Sequence, residues 1–265
     1  MGRLAIIGAG VMGETLLSGL IRAGRQPADL VIAERREDRA AELIERYGVE
    51  VLDNTEAAAA ADTVVLVVKP QDMAAVLDPM SSSIRQGALV ISLAAGITTS
   101  FLEERLSPGV AVVRVMPNTP ALVDQGMSAI SPGSSCDEQH LAEAEQLLSA
   151  VGRVVRVPEK QQDAVTAVSG SGPAYIFYVI EAMIEAGVHL GLPRATATEL
   201  AVQTAYGSAE MLRQTGEHPT VLRERVTSPA GVTAAALREL EEHAVRAAFL
   251  GALNAARDRS EELGA

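Results

Sequence analysis

The stretch from Arg3 to Gly13 constrains this chain more than any other. Leu4-Ala5-Ile6-Ile7 is a short apolar run, Gly8-Ala9-Gly10-Val11-Met12-Gly13 follows at once, and Glu14 to Ile21 reads as a helix. A strand, a G-x-G-x-x-G turn and a helix make a cradle for a pyrophosphate. Gly8 permits the tight turn, Gly10 removes a Cβ that would obstruct the phosphates, and Gly13 lets helix and strand pack closely. The free N–H groups and positive dipole end of the helix, at Val11 and Met12, face the anion. Glycine-rich turns are common, so the weight falls on this one's position between a strand and a helix.

Further strands follow in order. Leu30-Val31-Ile32-Ala33 ends in Glu34-Arg35-Arg36. An acidic residue about 20 positions past such glycines binds a ribose 2′-OH, whereas arginine there accommodates a 2′-phosphate. Both are present, and two adjacent arginines beside one carboxylate favour NADPH over NADH. The competing reading makes Glu34 to Glu37 the solvated start of a helix. Asp53-Asn54-Thr55-Glu56 supplies helix-start chemistry. Thr63 to Val68 is a β-branched run suited to burial on both faces, and Val68-Lys69-Pro70 then leaves the sheet where ligands bind in open α/β folds. Leu89 to Ser92 leads into Ala94-Ala95-Gly96, and Val110 to Met116 into Pro117-Asn118-Thr119-Pro120, where the prolines predict a rigid loop rather than a helix. Met127 to Ile130 and Val154 to Val157 read as the last strands, with a helix over Glu138 to Leu148. Residues 1–160 are therefore expected to form an α/β, doubly wound, mostly parallel Rossmann domain.

No strand pattern remains after Val157. Residues 161–265 read as an all-α domain broken at Ser169-Gly170-Ser171-Gly172-Pro173, Gly191-Leu192-Pro193 and Ser228-Pro229-Ala230-Gly231. Between Tyr175 and Val188 apolar residues cover most of the helix circumference, so this helix is expected to be buried on several sides. About a hundred helical residues offer little interior to hide it, and the domain is predicted to dimerise. Ala174 to Leu190 raises a membrane question, but Glu181, Glu185 and His189 interrupt it well short of the ~20 residues a span needs. A formal charge of −12 argues against nucleic acid or an anionic membrane as main partner. One cysteine, Cys136, excludes an intrachain disulfide framework and suits a reducing cytoplasm. No targeting segment stands out at the N-terminus, where the glycine turn interrupts the apolar run.

The chemistry is bounded by what is missing. No H-x-x-H, H-E-x-x-H or C-x-x-C spacing occurs, so no metal site is expected, and there is no G-x-S-x-G elbow. Lys69 and Lys160 are the only lysines, both outside the helical domain. A nicotinamide must then carry the difficult step, with the protein supplying position and electrostatics. Reducing a ketone usually needs a strong acid beside the oxygen; an imine is less demanding, because its nitrogen can arrive protonated. Ser228-Pro229-Ala230-Gly231-Val232-Thr233 suits imine reduction. It is a turn opening a helix, with N–H groups for a carboxylate and Thr233 in the first turn. Ser228 or Thr233 acting merely as a cap is the alternative.

Together these segments resemble the pyrroline-5-carboxylate reductase family over nearly the whole chain. The most specific matches are Ser169 to Tyr175 and Ser228 to Thr233. The resemblance implies hydride transfer from NAD(P)H to the C=N of pyrroline-5-carboxylate, giving L-proline. It also implies a Rossmann domain and a helical domain that forms an interlocked homodimer, often assembled into decamers. Lys69, Pro70, Ala95, Gly96 and Asn118 would line the cofactor, with Val68 beside them and Asn54 near the adenosine. Glu217, Ser171, Ser228, Gly231, Val232 and Thr233 would surround the substrate, with Thr233 near the ring nitrogen as the catalytic residue. Ala230 stands where the family often has glycine, and a positive φ there would strain the loop. Rival readings are another imine reductase on the same plan, a β-hydroxyacid dehydrogenase (disfavoured because that family places a catalytic lysine in the helical domain), and a non-enzymatic dinucleotide-binding module.

Overall fold

A computed structural model describes residues 2–264. By internal contacts the chain forms two compact units: residues up to Ser171 together with those from Ala256 onward, and Gly172–Ala255.

The first unit alternates strands and helices: β1 (Leu4–Ile7), α1 (Val11–Arg22), β2 (Leu30–Ala33), α2 (Glu37–Tyr47), β3 (Glu50–Leu52), α3 (Asn54–Ala60), β4 (Thr63–Leu66), α4 (Met73–Met80), β5 (Leu89–Ser92), α5 (Thr99–Glu103), β6 (Ala111–Met116), β7 (Gly126–Pro132), α6 (Glu138–Leu148), β8 (Gly152–Arg156) and α7 (Gln162–Val165). The eight strands form one sheet in the order β3-β2-β1-β4-β5-β6-β7-β8. β1 pairs in parallel with β2 and β4, placing Leu4 beside Leu30 and Thr63. Only the β6–β7 pair is antiparallel, and β7 and β8 are parallel to each other. The sheet is doubly wound and mostly parallel, as the alternating sequence predicts.

Strand periodicity divides the core into two layers. Leu4, Ile6, Ile32, Val65, Ile91 and Val113 pack with Leu16, Leu17 and Leu20 of α1. Ala5, Ile7, Val31, Val64, Leu66 and Val90 face the other way and meet Met73, Leu77 and Met80 of α4. β1, β2, β4 and β5 are buried at every position, which explains their nearly unbroken apolar sequences.

Two sequence expectations change here. Thr119–Val123 is a 3₁₀ helix started by Asn118 rather than a loop, with Pro120 in its first turn. The Ser169–Pro173 segment is also not a clean break: α7 runs into a π-helical stretch at Thr166–Gly170, and helix resumes at Gly172 after Ser171.

The second unit contains α8 (Gly172–His189), α9 (Arg194–Thr215), α10 (Pro219–Arg225), α11 (Val232–Glu242) and most of α12 (Val245–Gly264). α8 and α9 pair as an antiparallel hairpin across Gly191-Leu192-Pro193, with Ala197 packed against Gly187. The expectation that α8 is covered on several sides fails for a single protomer. None of its residues is buried, and Phe177 and Tyr178 are 65% and 72% exposed. The side turned to α9, with Ile180, Ile184 and Val188, is partly covered by its own chain. By length and composition alone, the helical run Glu159–His189 could cross a membrane.

Candidate dinucleotide and substrate sites

In an open α/β sheet the ligand crevice lies where strand order reverses, outside the carboxyl ends of the strands. Here that point falls between β1 and β4, and the glycine turn occupies it. Gly8 has φ +100°, and a Cβ on it would lie 2.5 Å from the Val67 carbonyl oxygen, so only glycine fits. A Cβ on Gly13 would overlap the Gly8 carbonyl oxygen. Gly10 differs, because a Cβ there would meet nothing within 4 Å and would project into open space. α1 starts at this residue without a side-chain cap, leaving its first N–H groups available to an anion. The segment fits a dinucleotide pyrophosphate.

Two adjoining cavities continue from the turn. One, of about 300 Å³, is lined by Gly8, Gly10, Glu34, Arg35, Asn54, Val68 and Lys69 among others. The second, of about 610 Å³, shares Glu34, Arg35 and Asn54 and extends along Val51 to Glu56. These residues, singled out from the sequence, thus come together at the switch point. The α2 edge is fixed by Glu14, whose carboxylate accepts hydrogen bonds from Arg39, from Arg46 (3.0 Å) and from the Tyr47 hydroxyl (2.8 Å). Burial opposes its ionisation, but the bonds from Tyr47 and Arg39 outweigh this and hold the carboxyl below the usual range.

Glu34 is held mainly by the main chain of Arg36, whose guanidinium stays 3.7 Å away and exposed. The Arg36 N–H donates to the Glu34 carboxylate at 3.0 Å, and the Glu34 side chain is only 13% exposed. Arg35 stays exposed on the rim of both cavities.

The remaining predicted cofactor residues sit on neighbouring turns. Pro70 opens a short 3₁₀ turn after Lys69. Ala95 is exposed on the loop after β5, and Gly96 has φ +76°. Asn118 is heavily used by the protein: its Oδ1 accepts from the Met127 N–H at 2.8 Å, and its Nδ2 donates to the Ser169 carbonyl and hydroxyl, each at 3.2 Å. It clamps the Pro117–Pro120 segment to the π-helical turn. The sequence offered no sign of that duty.

Ser171 closes the first unit; Glu217, Ser228, Gly231, Val232 and Thr233 belong to the second. Glu217 accepts from Arg225 at 2.7 Å. Ser228 to Gly231 form a turn closed by the Gly231 N–H donating to the Ser228 carbonyl at 3.0 Å. The Ser228 hydroxyl lies where a Gly231 Cβ would sit. Ala230 has φ +56°, so the left-handed strain anticipated from its sequence position is present, at about 1–2 kcal/mol for an L-residue. α11 begins after Gly231 without a side-chain cap, with Val232 90% exposed and Thr233 in its first turn. This is a second helix start with unspent N–H groups.

His140, His218 and the cysteine have structural duties. His218 caps α10, accepting from the Thr220 N–H at 3.2 Å, and His140 completes a capping box with Asp137. The half-buried Cys136 thiol donates to the Val112 carbonyl, and burial pushes its pKa up. No group of three or more metal-ligating side chains occurs among the described residues.

Fold and glycine turn together define a Rossmann-type, dinucleotide-binding oxidoreductase. Residues 159–263 match the family model for pyrroline-5-carboxylate reductase dimerisation, and residues 3–96 the model described as NADP oxidoreductase, coenzyme F420-dependent. A pyrroline-5-carboxylate reductase of Corynebacterium melassecola is 50% identical, the alignment covering 100% of this chain and 99% of that protein. The solved structure of such a reductase from Coxiella burnetii superposes with a TM-score of 0.95 at 38% identity, covering 100% of this chain and 99% of that one. The Plasmodium falciparum enzyme, solved with NADP bound, gives 0.88 at 29% identity over 99% and 98% of the two chains. The chain belongs to the pyrroline-5-carboxylate reductase family. The exposed faces of α8 fall within its dimerisation domain, which accounts for apolar helices left uncovered in one protomer.

Proposed function

We propose that this chain reduces the C=N bond of L-1-pyrroline-5-carboxylate to give L-proline, the last step of proline biosynthesis. The supporting observation is a pair of helix starts without side-chain caps, α1 after Gly10 and α11 after Gly231, in a chain 50% identical to a reductase of that name. A bound NAD(P)H supplies the hydride. The α1 start and the Lys69-Pro70, Ala95-Gly96 and Asn118 segments hold the dinucleotide, with Asn54 near its adenosine. N–H groups from Gly231 to Thr233 hold the substrate carboxylate, with Glu217, Ser171 and Ser228 around it. Thr233 hydrogen-bonds the ring nitrogen, orienting it and keeping or supplying its proton, so that no strong acid is required.

NADPH is the favoured coenzyme. Glu34, the residue that would bind a ribose 2′-OH, is engaged by Arg36, whereas Arg35 is open to a 2′-phosphate. Residues 161–265 act as the substrate-binding and dimerisation domain, with dimers assembling further into a decamer. The enzyme works in the cytoplasm, without a metal, nucleic acid or membrane as partner.

The test is a coenzyme-oxidation assay with pyrroline-5-carboxylate and NADPH or NADH side by side, with proline quantified. One proline per coenzyme oxidised, and a lower KM for NADPH, is the expected result. No oxidation with this substrate overturns the reading.

A further inference from the structure

The end of α12 returns to the first unit. Ser260, buried on this helix, donates its hydroxyl to the Asp163 carboxylate at 2.7 Å. One turn later the backbone of Leu263 and Gly264 lies directly on Gly96. A Cβ on Gly96 would stand 3.3 Å from the Leu263 carbonyl oxygen and 3.5 Å from the Gly264 Cα. Reciprocally, a Cβ on Gly264 would stand 3.1 Å from the Gly96 carbonyl oxygen. Two glycine backbones therefore meet with no side chain between them.

Burial of apolar surface does not explain this contact, since Leu263 is 66% exposed. What the contact constrains is the position of the Ala94–Ile97 loop. Gly96 has φ +76°, a region glycine enters readily and leaves readily, so this residue itself adds little stiffness to the loop. Ala94 is buried in the core and Ile97 packs against the same cluster, so the two ends of the loop are held and the contact acts on the Ala95-Gly96 stretch between them. A helix end anchored through Ser260 and pressed against Gly96 limits where this loop can lie.

We propose that the last turn of α12 is a positioning element for the coenzyme loop, with Leu263 and Gly264 setting the height of Ala95-Gly96 beneath the dinucleotide. The proposal rests on the reading that Ala95 and Gly96 line the coenzyme. A Cβ on Gly264 would be tight against the Gly96 carbonyl, so glycine there favours the close approach, and Ser260–Asp163 fixes the register of the helix end.

Two changes test it on the full oligomeric enzyme: a chain ending at Glu262, which removes the contact, and Gly264→Val, which drives a side chain at the Gly96 carbonyl. Both should raise the KM for NADPH and its Kd, read from dihydronicotinamide fluorescence, by roughly tenfold, the order expected when a positioning contact is lost. At saturating coenzyme, kcat should stay within about twofold, with melting temperature and oligomer size unchanged. Ala95→Leu separates positioning from lining, because it acts on the coenzyme surface itself. If Ala95→Leu raises the coenzyme KM while both tail variants match the wild type, the positioning role is wrong and the loop assignment stands. If Ala95→Leu has no effect, the loop does not line the coenzyme and the proposal falls with it. A tail variant that loses thermal stability and kcat in parallel, with coenzyme KM unchanged, reduces the contact to a structural one and also overturns the proposal.

Discussion

Asn118 donates from its side-chain amide to the Ser169 carbonyl 3.2 Å away, across 51 positions of sequence. The same side chain accepts from the Met127 N–H. One residue thus joins the segment after β6, the β7 strand and the π-helical turn before α8. Helices interrupted by π-turns often do so at functional sites, and this one is held open by a clamp. Asn118→Ala should cost about 1–3 kcal/mol of stability through the groups left unpaired. Asn118→Asp, which keeps the acceptor but sets a carboxylate against the Ser169 carbonyl, should fare no better. Denaturant melts of the two variants check this; a wild-type melt for Asn118→Asp would show that the donor side of the clamp carries nothing.

Gly13 and Gly10 of the turn should separate by function. Gly13→Ala forces a methyl into the Gly8 carbonyl and should destabilise by about 1–3 kcal/mol, the usual cost of overpacking. Gly10→Ala meets open space and has an ordinary extended backbone, so stability should fall by no more than about 1 kcal/mol. Its coenzyme KM should nevertheless rise at least tenfold, because the methyl enters the phosphate path. A Gly10→Ala enzyme with normal coenzyme KM would place the pyrophosphate elsewhere.

Coenzyme choice should depend on Arg35 and Arg36. Replacing both by alanine is expected to raise the KM for NADPH much more than that for NADH, since only the former carries a 2′-phosphate. Glu34 keeps its hydrogen bond from the main-chain N–H of residue 36 in this variant, so the change in preference reads the two guanidinium groups alone. An equal change for both coenzymes would mean that the arginines read no phosphate.

Glu159 sets an acid limit on stability. Its carboxylate accepts from the Thr99 N–H (2.8 Å), the Thr99 hydroxyl (2.5 Å) and the buried Arg114 (3.2 Å). Burial works against ionisation, but these partners hold its pKa below the ordinary glutamate value of 4.5. A carboxyl with a depressed folded-state pKa contributes stability above its unfolded value, lost as pH falls through the folded one. Glu159→Gln should therefore lose about 1.5–3 kcal/mol at neutral pH and show a shallower decline below pH 4.5. Urea melts at about pH 7 and about pH 4 read both effects; parallel pH profiles would remove Glu159 from the acid response.

Much of the first unit was legible because its signals are local. Fully buried parallel strands must be apolar at successive positions, and a phosphate-binding turn must place glycine where backbones touch, as Gly8 and Gly13 do. β3 was not legible because Glu50–Leu52 is only three residues long and none is fully buried, too short for its Val51 and Leu52, which pack on the two core layers, to stand out as a strand. α8 misled for the opposite reason: its all-round apolarity pointed to burial, yet none of its residues is buried in one protomer, and it lies in the segment that matches the dimerisation model. The Asn118 clamp and the meeting of Gly96 with Gly264 join residues far apart in sequence, and no local pattern announces them. Ala230 was legible only as a conditional, resolved by its φ of +56°.

The central claim is that the start of α11 holds the imine, and Thr233→Ala tests it most directly. Losing a hydrogen bond to a charged nitrogen, about 1.5–3 kcal/mol, predicts a fall of roughly 10- to 150-fold in kcat/KM for pyrroline-5-carboxylate. Coenzyme Kd and oligomer size should not change. Wild-type kinetics in this variant would contradict the account.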